Sequence, residues 1–522
     1  MTSPLIDWAA LAPLAILLCA AVLGVLIESF VPRSARRPVQ ICLAFLALAG
    51  SLLAIIWRWT VVSVQGPASV SMSPNGFGTF AEDLPALAFQ GIIVVCSLFA
   101  LLVIADRTAT REGAFAASAA TQPGSIDERE ATTARFEQTE VFPLTLFAAG
   151  GMVAFTMAHD LLTLFISLEV LSLPLYVLCA TARRRRALSQ EAAMKYFLLG
   201  AFSSAFFLMG AALLYGFSGS ISYSSIAAAL LATSGMDLLL VAGLVLVLVG
   251  LLFKVGAAPF HSWTPDTYQG APTPVTGFMA AGTKIAAFAA MLRFLYSIGR
   301  GAQWELTPAL WTIAVLTMCV GTFIGLIQKD IKRLLAYSSI AHAGFILIGV
   351  AAFSQEGISS VAFYLAAYGI ATVGAFGIVT LVRESKEGNI LGEATSLAAW
   401  QGMGKTNPLL AVCMSIFLLS FAGIPLTSGF LGKFAVFSAG VRAGEIPFVV
   451  VAVLASAATA FFYFRLVVFM FFRDPEGVDT VTVESEGFSI LSIVVCALLT
   501  LAVGIFPQPI FEVLNQATVF ML

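Results

Sequence analysis

Residues 238–265 read LLLVAGLVLVLVGLLFKVGAAPFHSWTP. An unbroken apolar run ends on a lysine, and two residues later Gly256, Pro259 and Pro265 interrupt it. The run is long enough to cross a hydrocarbon core of about 30 Å as a helix. Proline removes a backbone donor and clashes with the preceding turn, so the helix breaks. In lipid such a break survives only where protein or water satisfies the freed backbone groups. Residues 409–433 repeat the pattern: an apolar run to Phe421, the breakers Gly423 and Pro425, then Lys433. Interrupted helices beside mid-membrane charge are characteristic of transporters.

The remaining chain agrees with this reading. Hydrophobic types make up 59% of 522 residues and charged types 11%, against about 25% charge in a soluble domain. The 27 Lys+Arg against 29 Asp+Glu leave no basic field for nucleic acid. Seven dispersed cysteines form no Cys-x-x-Cys and no metal spacing. The apolar run from Trp8 to Ile27 has no preceding Lys or Arg and is too long for a signal peptide, so it reads as a first membrane helix.

About fourteen spans follow, near 8–30, 39–58, 84–105, 141–158, 161–181, 191–216, 236–268, 272–296, 308–327, 333–353, 358–382, 409–440, 446–470 and 487–508. The expected class is an all-α polytopic membrane protein with discontinuous seventh and twelfth helices. The two breaks lie five spans apart, and an odd count inverts successive units. Spans 4–8 and 9–13 are therefore expected to be two inverted five-helix repeats, with Glu169 corresponding to His342. The implied segments are an N-terminal three-helix segment (1–106), a cytoplasmic loop (107–140), two repeats (141–300 and 301–473) and a C-terminal helix (474–522). The loop 108–140 reads as an exposed inner loop, mobile or partly helical. Eighteen positive residues fall in loops on one side and only Arg58, Arg300 and Arg442 on the other. The excess of Lys and Arg on cytoplasmic loops then places both termini outside, and Arg183–Arg186 reads as a topology anchor.

Six positive residues remain inside spans. Arg293 and Arg465 lie near helix ends, where long side chains can snorkel. Lys195, Lys254, Lys284 and Lys433 do not, and Glu169 is the one carboxylate deep inside a run. Each costs about 2.5–3.5 kcal/mol at mid-membrane even on the gentler scale. One interhelical ion pair would leave three lysines unexplained, whereas a protonatable path explains all five groups. His342 can join such a path, because histidine titrates near about 6.5. His159 and His261 sit at loop edges and call only for hydrogen bonding.

The stretch from Phe253 to Asp266 resembles the signature of the antiporter-like subunits of respiratory complex I and of multisubunit cation/proton antiporters. Glu169 in SLEVLSLPLY (167–176), Lys195 in MKYFLLG (194–200), DIKRLLAYSSI (330–340) and PLTSGFLGK (425–433) match as well. The continuation TYQGAPTPVT (267–276) is similar to the N branch of that family more than to the M and L branches. Lys433, where the M branch carries glutamate, fits the N or L branch.

The resemblance implies a non-redox subunit of the proton-translocating NADH:quinone oxidoreductase of the bacterial inner membrane. In it Glu169 and Lys254 form the charge pair that receives the coupling signal, and Lys195 bridges towards a neighbour. Lys284 is central, His342 links two half-channels and Lys433 lies on the exit side. The resemblance also implies K and M neighbours and the lateral helix of L. It places no cofactor in this subunit; FMN, iron–sulfur clusters and quinone belong to other subunits. A sodium/proton antiporter subunit and a purely structural membrane subunit are the rival readings. On the leading one, Glu169→Gln leaves assembly intact and cuts proton pumping; pumping at the unaltered rate in an assembled complex would sink it.

Overall fold

The computed structural model describes residues 5–72, 78–108, 113–117, 121–122, 125–133, 138–232, 238–386, 389–474, 479–482 and 485–521. Fourteen crossings follow in chain order. They are α1 (Ala12–Phe30), α2 (Arg33–Gln65), α3 (Leu84–Ala105), α4 (Val141–Met157), α5 (Leu161–Cys179) and α6 (Arg186–Ser218). Then come α7 (Leu238–Val255 and, after the break, Trp263–Gly270), α8 (Thr273–Ser297), α9 (Gln303–Ile327), α10 (Ile331–Ala351) and α11 (Gln355–Leu381). Last are α12 (Pro408–Ala422 and Ser428–Arg442), α13 (Ile446–Phe472) and α14 (Phe488–Ile505). Twelve helices among the described residues are long and apolar enough to cross a membrane; Val141–Met157 and Pro408–Ala422 are shorter apolar helices that complete the set.

Side-chain caps set several starts. Asp83, Asp160, Asp330 and Ser354 each accept the backbone N–H three residues on, at the heads of α3, α5, α10 and α11. Burial then sorts the helices. Every residue of α8 is buried, and it forms the axis of the bundle with α10 and α11. The outer surface of the chain is carried by exposed apolar side chains such as Leu53, Ile166, Phe202, Phe323 and Phe461.

The inverted repeat is visible in matched contacts. Gly151 of α4 lies so close to α5 that an added Cβ would sit 2.3 Å from the Leu171 amide nitrogen. Gly321 of α9 makes the same approach to Ala341 of α10, at 2.4 Å. At the heads of these helices, Leu161 N–H donates to Ile221 at 3.1 Å and Ile331 N–H to Thr395 at 2.7 Å. These matches set the register. Ser172, next to Leu171, is the counterpart of His342, next to Ala341. Glu169 is the counterpart of Ser339. The pairing of Glu169 with His342 expected from separations along the chain is therefore three residues out, because chain separation does not report which turns touch.

Two further expectations are corrected. Phe115 and Ala116 of the 108–140 loop are buried rather than exposed. They dock on the α5–α6 connection, where Ala116 N–H donates to Thr181 at 2.8 Å and Arg183 N–H to Ala114 at 2.9 Å. That loop also holds the short helix Ile126–Thr133. On the same basic face an antiparallel sheet joins Asn389–Glu393, Val382–Lys386 and Asp479–Thr482. Burial raises the Glu393 carboxyl, but the Lys332 and Arg383 charges outweigh it and hold it below its ordinary value.

Arg293 does not snorkel. It is fully buried, donates to both Asp83 carboxylate oxygens at 2.7 and 2.8 Å, and reaches the Thr156 carbonyl at 3.0 Å. Asp83 also accepts the Met521 N–H at 2.9 Å. Arg465 donates instead to the Leu326 and Gln328 carbonyls at 2.9 and 2.7 Å, covering the end of α9. Breaking a buried ion pair from one side strands a charge and costs about 3–5 kcal/mol. Arg293→Met should thus lower the thermal stability of the purified protein by that order, and Asp83→Leu with Arg293→Met should recover part of it. A single variant that melts with the wild type contradicts the assignment.

Candidate proton-conducting site

The helix interruptions organise the site. In α7 the chain leaves the helix at Gly256, whose φ of +75° is in the left-handed region, and turns through Pro259 to restart at Trp263. The Phe253 carbonyl accepts the Gly256 N–H at 3.0 Å and, as a second donor, the Trp263 indole N–H at 2.9 Å. Ala258 N–H donates to the Thr317 hydroxyl at 3.0 Å. In α12 the break runs from Gly423, with φ of +81°, through Pro425 to Thr427. Here the Ala422 carbonyl accepts the Lys433 ammonium at 3.1 Å. Each break is thus closed by a side chain from the helix half that follows it.

Lys254 ends the first half of α7. Its ammonium donates to Ser172 at 2.7 Å and Tyr196 at 3.0 Å, and lies 5.1 Å from the Tyr196 ring centre. Tyr196 stacks on Trp263, with centroids 4.6 Å apart, and Trp263 meets Tyr268 edge-on at 6.3 Å. Tyr268 and Tyr368 both stand beside Ser339. Lys284, on the buried axis helix, donates to the Ser339 hydroxyl at 2.6 Å and to its carbonyl. Its ammonium stands 5.5 Å from the Tyr368 ring centre.

His342 follows, 4.9 Å from Tyr368 between ring centres. Its Nδ1 is 2.7 Å from the Tyr364 hydroxyl and its Nε2 3.1 Å from that of Tyr463, which also bonds Ser338. The tautomer decides which nitrogen donates. Lys433 completes the row. It donates to Ser456 at 2.8 Å and lies 5.0 Å from the Phe345 ring, which meets His342 edge-on at 5.9 Å. Four of the six expected residues, Lys254, Lys284, His342 and Lys433, therefore share one buried row that runs laterally across both repeats. Among the described residues none of these three lysines has a carboxylate within 4 Å; their partners are hydroxyls, carbonyls and ring faces.

Glu169 and Lys195 lie outside that row, on the side of α5 and α6. Glu169 is half-buried and accepts the Ser204 hydroxyl at 2.5 Å. It makes no direct contact with the Lys254 ammonium, which Ser172, three residues further along α5, takes instead; the Glu169 charge acts on Lys254 from a longer distance. Lys195 is not deep. Its side chain is 44% exposed and pairs with Glu191 and Asp266, both at 2.8 Å. Asp266 also binds Arg333 at 2.8 Å, which ties α6 and the second half of α7 to α10. At the opposite end of α4, burial and then the Arg293 charge push His159 down to about 4, so it is neutral at physiological pH. Among the described residues no cluster of His, Cys, Asp or Glu could hold a metal ion.

Chain reading missed the hydroxyl partners. Of ten tyrosines, Tyr196, Tyr268, Tyr364, Tyr368 and Tyr463 line the row. A signal was available: a tyrosine deep in an apolar span has a hydroxyl that needs a partner.

Comparison with known proteins shows the family. Residues 158–459 match the family model described as "NADH:quinone oxidoreductase/Mrp antiporter, TM". NADH-quinone oxidoreductase subunit N of Beutenbergia cavernae is 57% identical over 99% of each chain. A chain of respiratory complex I from Thermus thermophilus with bound aureothin is 33% identical, with a TM-score of 0.77 over 97% of this chain and 99% of that one. A chain of the Mrp complex from Dietzia sp. shares the fold at 22% identity, with a TM-score of 0.78 over 97% of both. With this identity along almost its whole length, the chain belongs to the subunit N family of NADH–quinone oxidoreductases, within the wider antiporter-like membrane family.

Proposed function

We propose that the chain is a proton-translocating membrane-arm subunit of NADH–quinone oxidoreductase, with Lys254, Lys284, His342 and Lys433 as the groups that pass the proton. The observation that carries this reading is the buried row of amines, imidazole and hydroxyls from Lys254 to His342 and on to Lys433. An ammonium held only by neutral acceptors can release its proton without stranding a buried counter-charge. Glu169 and Lys195, on the lateral face, would receive the coupling signal from a neighbouring subunit. Electron transfer through FMN, iron–sulfur clusters and quinone would proceed in other subunits of the complex. The basic face would be cytoplasmic and both termini external, with K-type and M-type subunits on either side and the lateral helix of L alongside.

Lys254→Ala and Lys433→Ala test this in an assembled complex, with NADH oxidation and proton uptake measured together. Each should cut pumping by about tenfold or more, since a positioned proton-transfer group contributes at least that much. Pumping retained in both would favour a structural role. Transport that depends on sodium, in a chain that purifies without redox subunits, would favour the antiporter reading that the same family model covers.

The hydroxyls give a finer test. Tyr364→Phe and Tyr463→Phe each remove one partner of His342 while keeping the ring. Each is expected to lower pumping less than His342→Ala does, and the double variant to approach it. Single variants that pump at the wild-type rate would exclude these hydroxyls from the path.

A further inference from the structure

One large cavity lies away from the proton row. It measures about 500 Å³, and Leu52, Ile55, Gly91, Ile92, Ile370 and Ile510 are among its walls. Three walls are α2, α3 and α11. The fourth is the short amphipathic helix Gln508–Gln516, which follows α14 on the face opposite the arginine-rich loops. That helix is held in place by Phe511, stacked on Phe363 of α11 at 4.1 Å. The lining is apolar throughout apart from Thr60 at one end, and it opens sideways from the bundle.

Depth decides what fits. The α3 wall runs from Leu87 to Cys96, about 14 Å of helix rise, close to half of a core of about 30 Å. The α2 wall, Leu52 to Thr60, covers the same half. Towards the basic face α2 and α3 pack directly and Leu48 and Leu101 are fully buried. The cavity therefore occupies one leaflet and is closed at mid-membrane. A partner's transmembrane helix, about 10 Å wide and spanning both leaflets, does not fit it. A single lipid chain does.

The geometry points to a bound lipid of the leaflet opposite the basic face, with one acyl chain inserted between α2, α3, α11 and Gln508–Gln516. Trp57 and Trp59 stand at the level expected for its headgroup. Arg58, between them, is turned inward and held by Glu82 at 2.6 Å. No free charge on α2 thus selects the headgroup, and the site reads chain length rather than headgroup identity.

Gly91 supplies the test. A Cβ there would meet only Ile55, at 3.9 Å, so this cavity wall is open to a larger side chain at its first atom. Native mass spectrometry of the detergent-washed complex should find one fewer lipid in Gly91→Leu than in wild type. Leu53→Phe, on the exposed side of α2, should lose none. An unchanged lipid count, loss of a polypeptide instead of a lipid, or a retained isoprenoid mass overturns the assignment. Wild-type complex in vesicles of diazirine-acyl phosphatidylglycerol, washed with unlabelled lipid before illumination, gives a second readout that needs no variant. Label should concentrate on peptides 87–96 and 509–514; label spread evenly over the lipid-facing helices overturns the proposal equally.

Discussion

A backbone carbonyl inside a membrane has to find a donor, and lipid offers none. The α12 interruption creates that demand at Ala422, and Lys433 meets it; at the α7 interruption the Phe253 carbonyl keeps the Gly256 N–H and gains Trp263 as a second donor. Both side chains reach back across the break from the following helix half. The same residues then serve the row beside them. Trp263 stacks on the tyrosine that holds Lys254, and Lys433 lies one ring away from His342. Helix breaking and placement of titratable groups are one arrangement here.

The two repeats spend equivalent positions differently. Where the second carries His342, flanked by two tyrosine hydroxyls, the first carries Ser172, a direct acceptor for Lys254. Where the first carries Glu169 on its lateral face, the second carries Ser339, the acceptor for Lys284. A shared backbone register thus presents a carboxylate to the outside of one unit and a hydroxyl to the inside of the other. The central lysine is held by a residue of the second repeat, so Ser339 physically joins the halves.

Much of this was legible in the chain. The spans, both breaks and the buried lysines follow from hydropathy, proline chemistry and the cost of charge in lipid. The register of the repeat was not, because it depends on Gly151 and Gly321 letting helix backbones touch, and spacing along the chain carries no record of contact. Tyrosines count as aromatic in a hydropathy reading, so their hydroxyls went unnoticed at Tyr196, Tyr364 and Tyr463. Lys195 looked deep because its neighbours are apolar, whereas it lies on a lateral face with Glu191 and Asp266. Arg293 looked peripheral because its partner lies in a distant connection.

That distance has a consequence for biogenesis. Asp83 and Arg293 are 210 residues apart, and α4 to α7 enter the membrane between them. During synthesis the carboxylate at the head of α3 has no arginine to hold until α8 arrives. That corner can close only after these four helices have entered and α8 has followed them. The pair thus makes the closing of one end of the bundle depend on a helix that is synthesised far behind the carboxylate it neutralises.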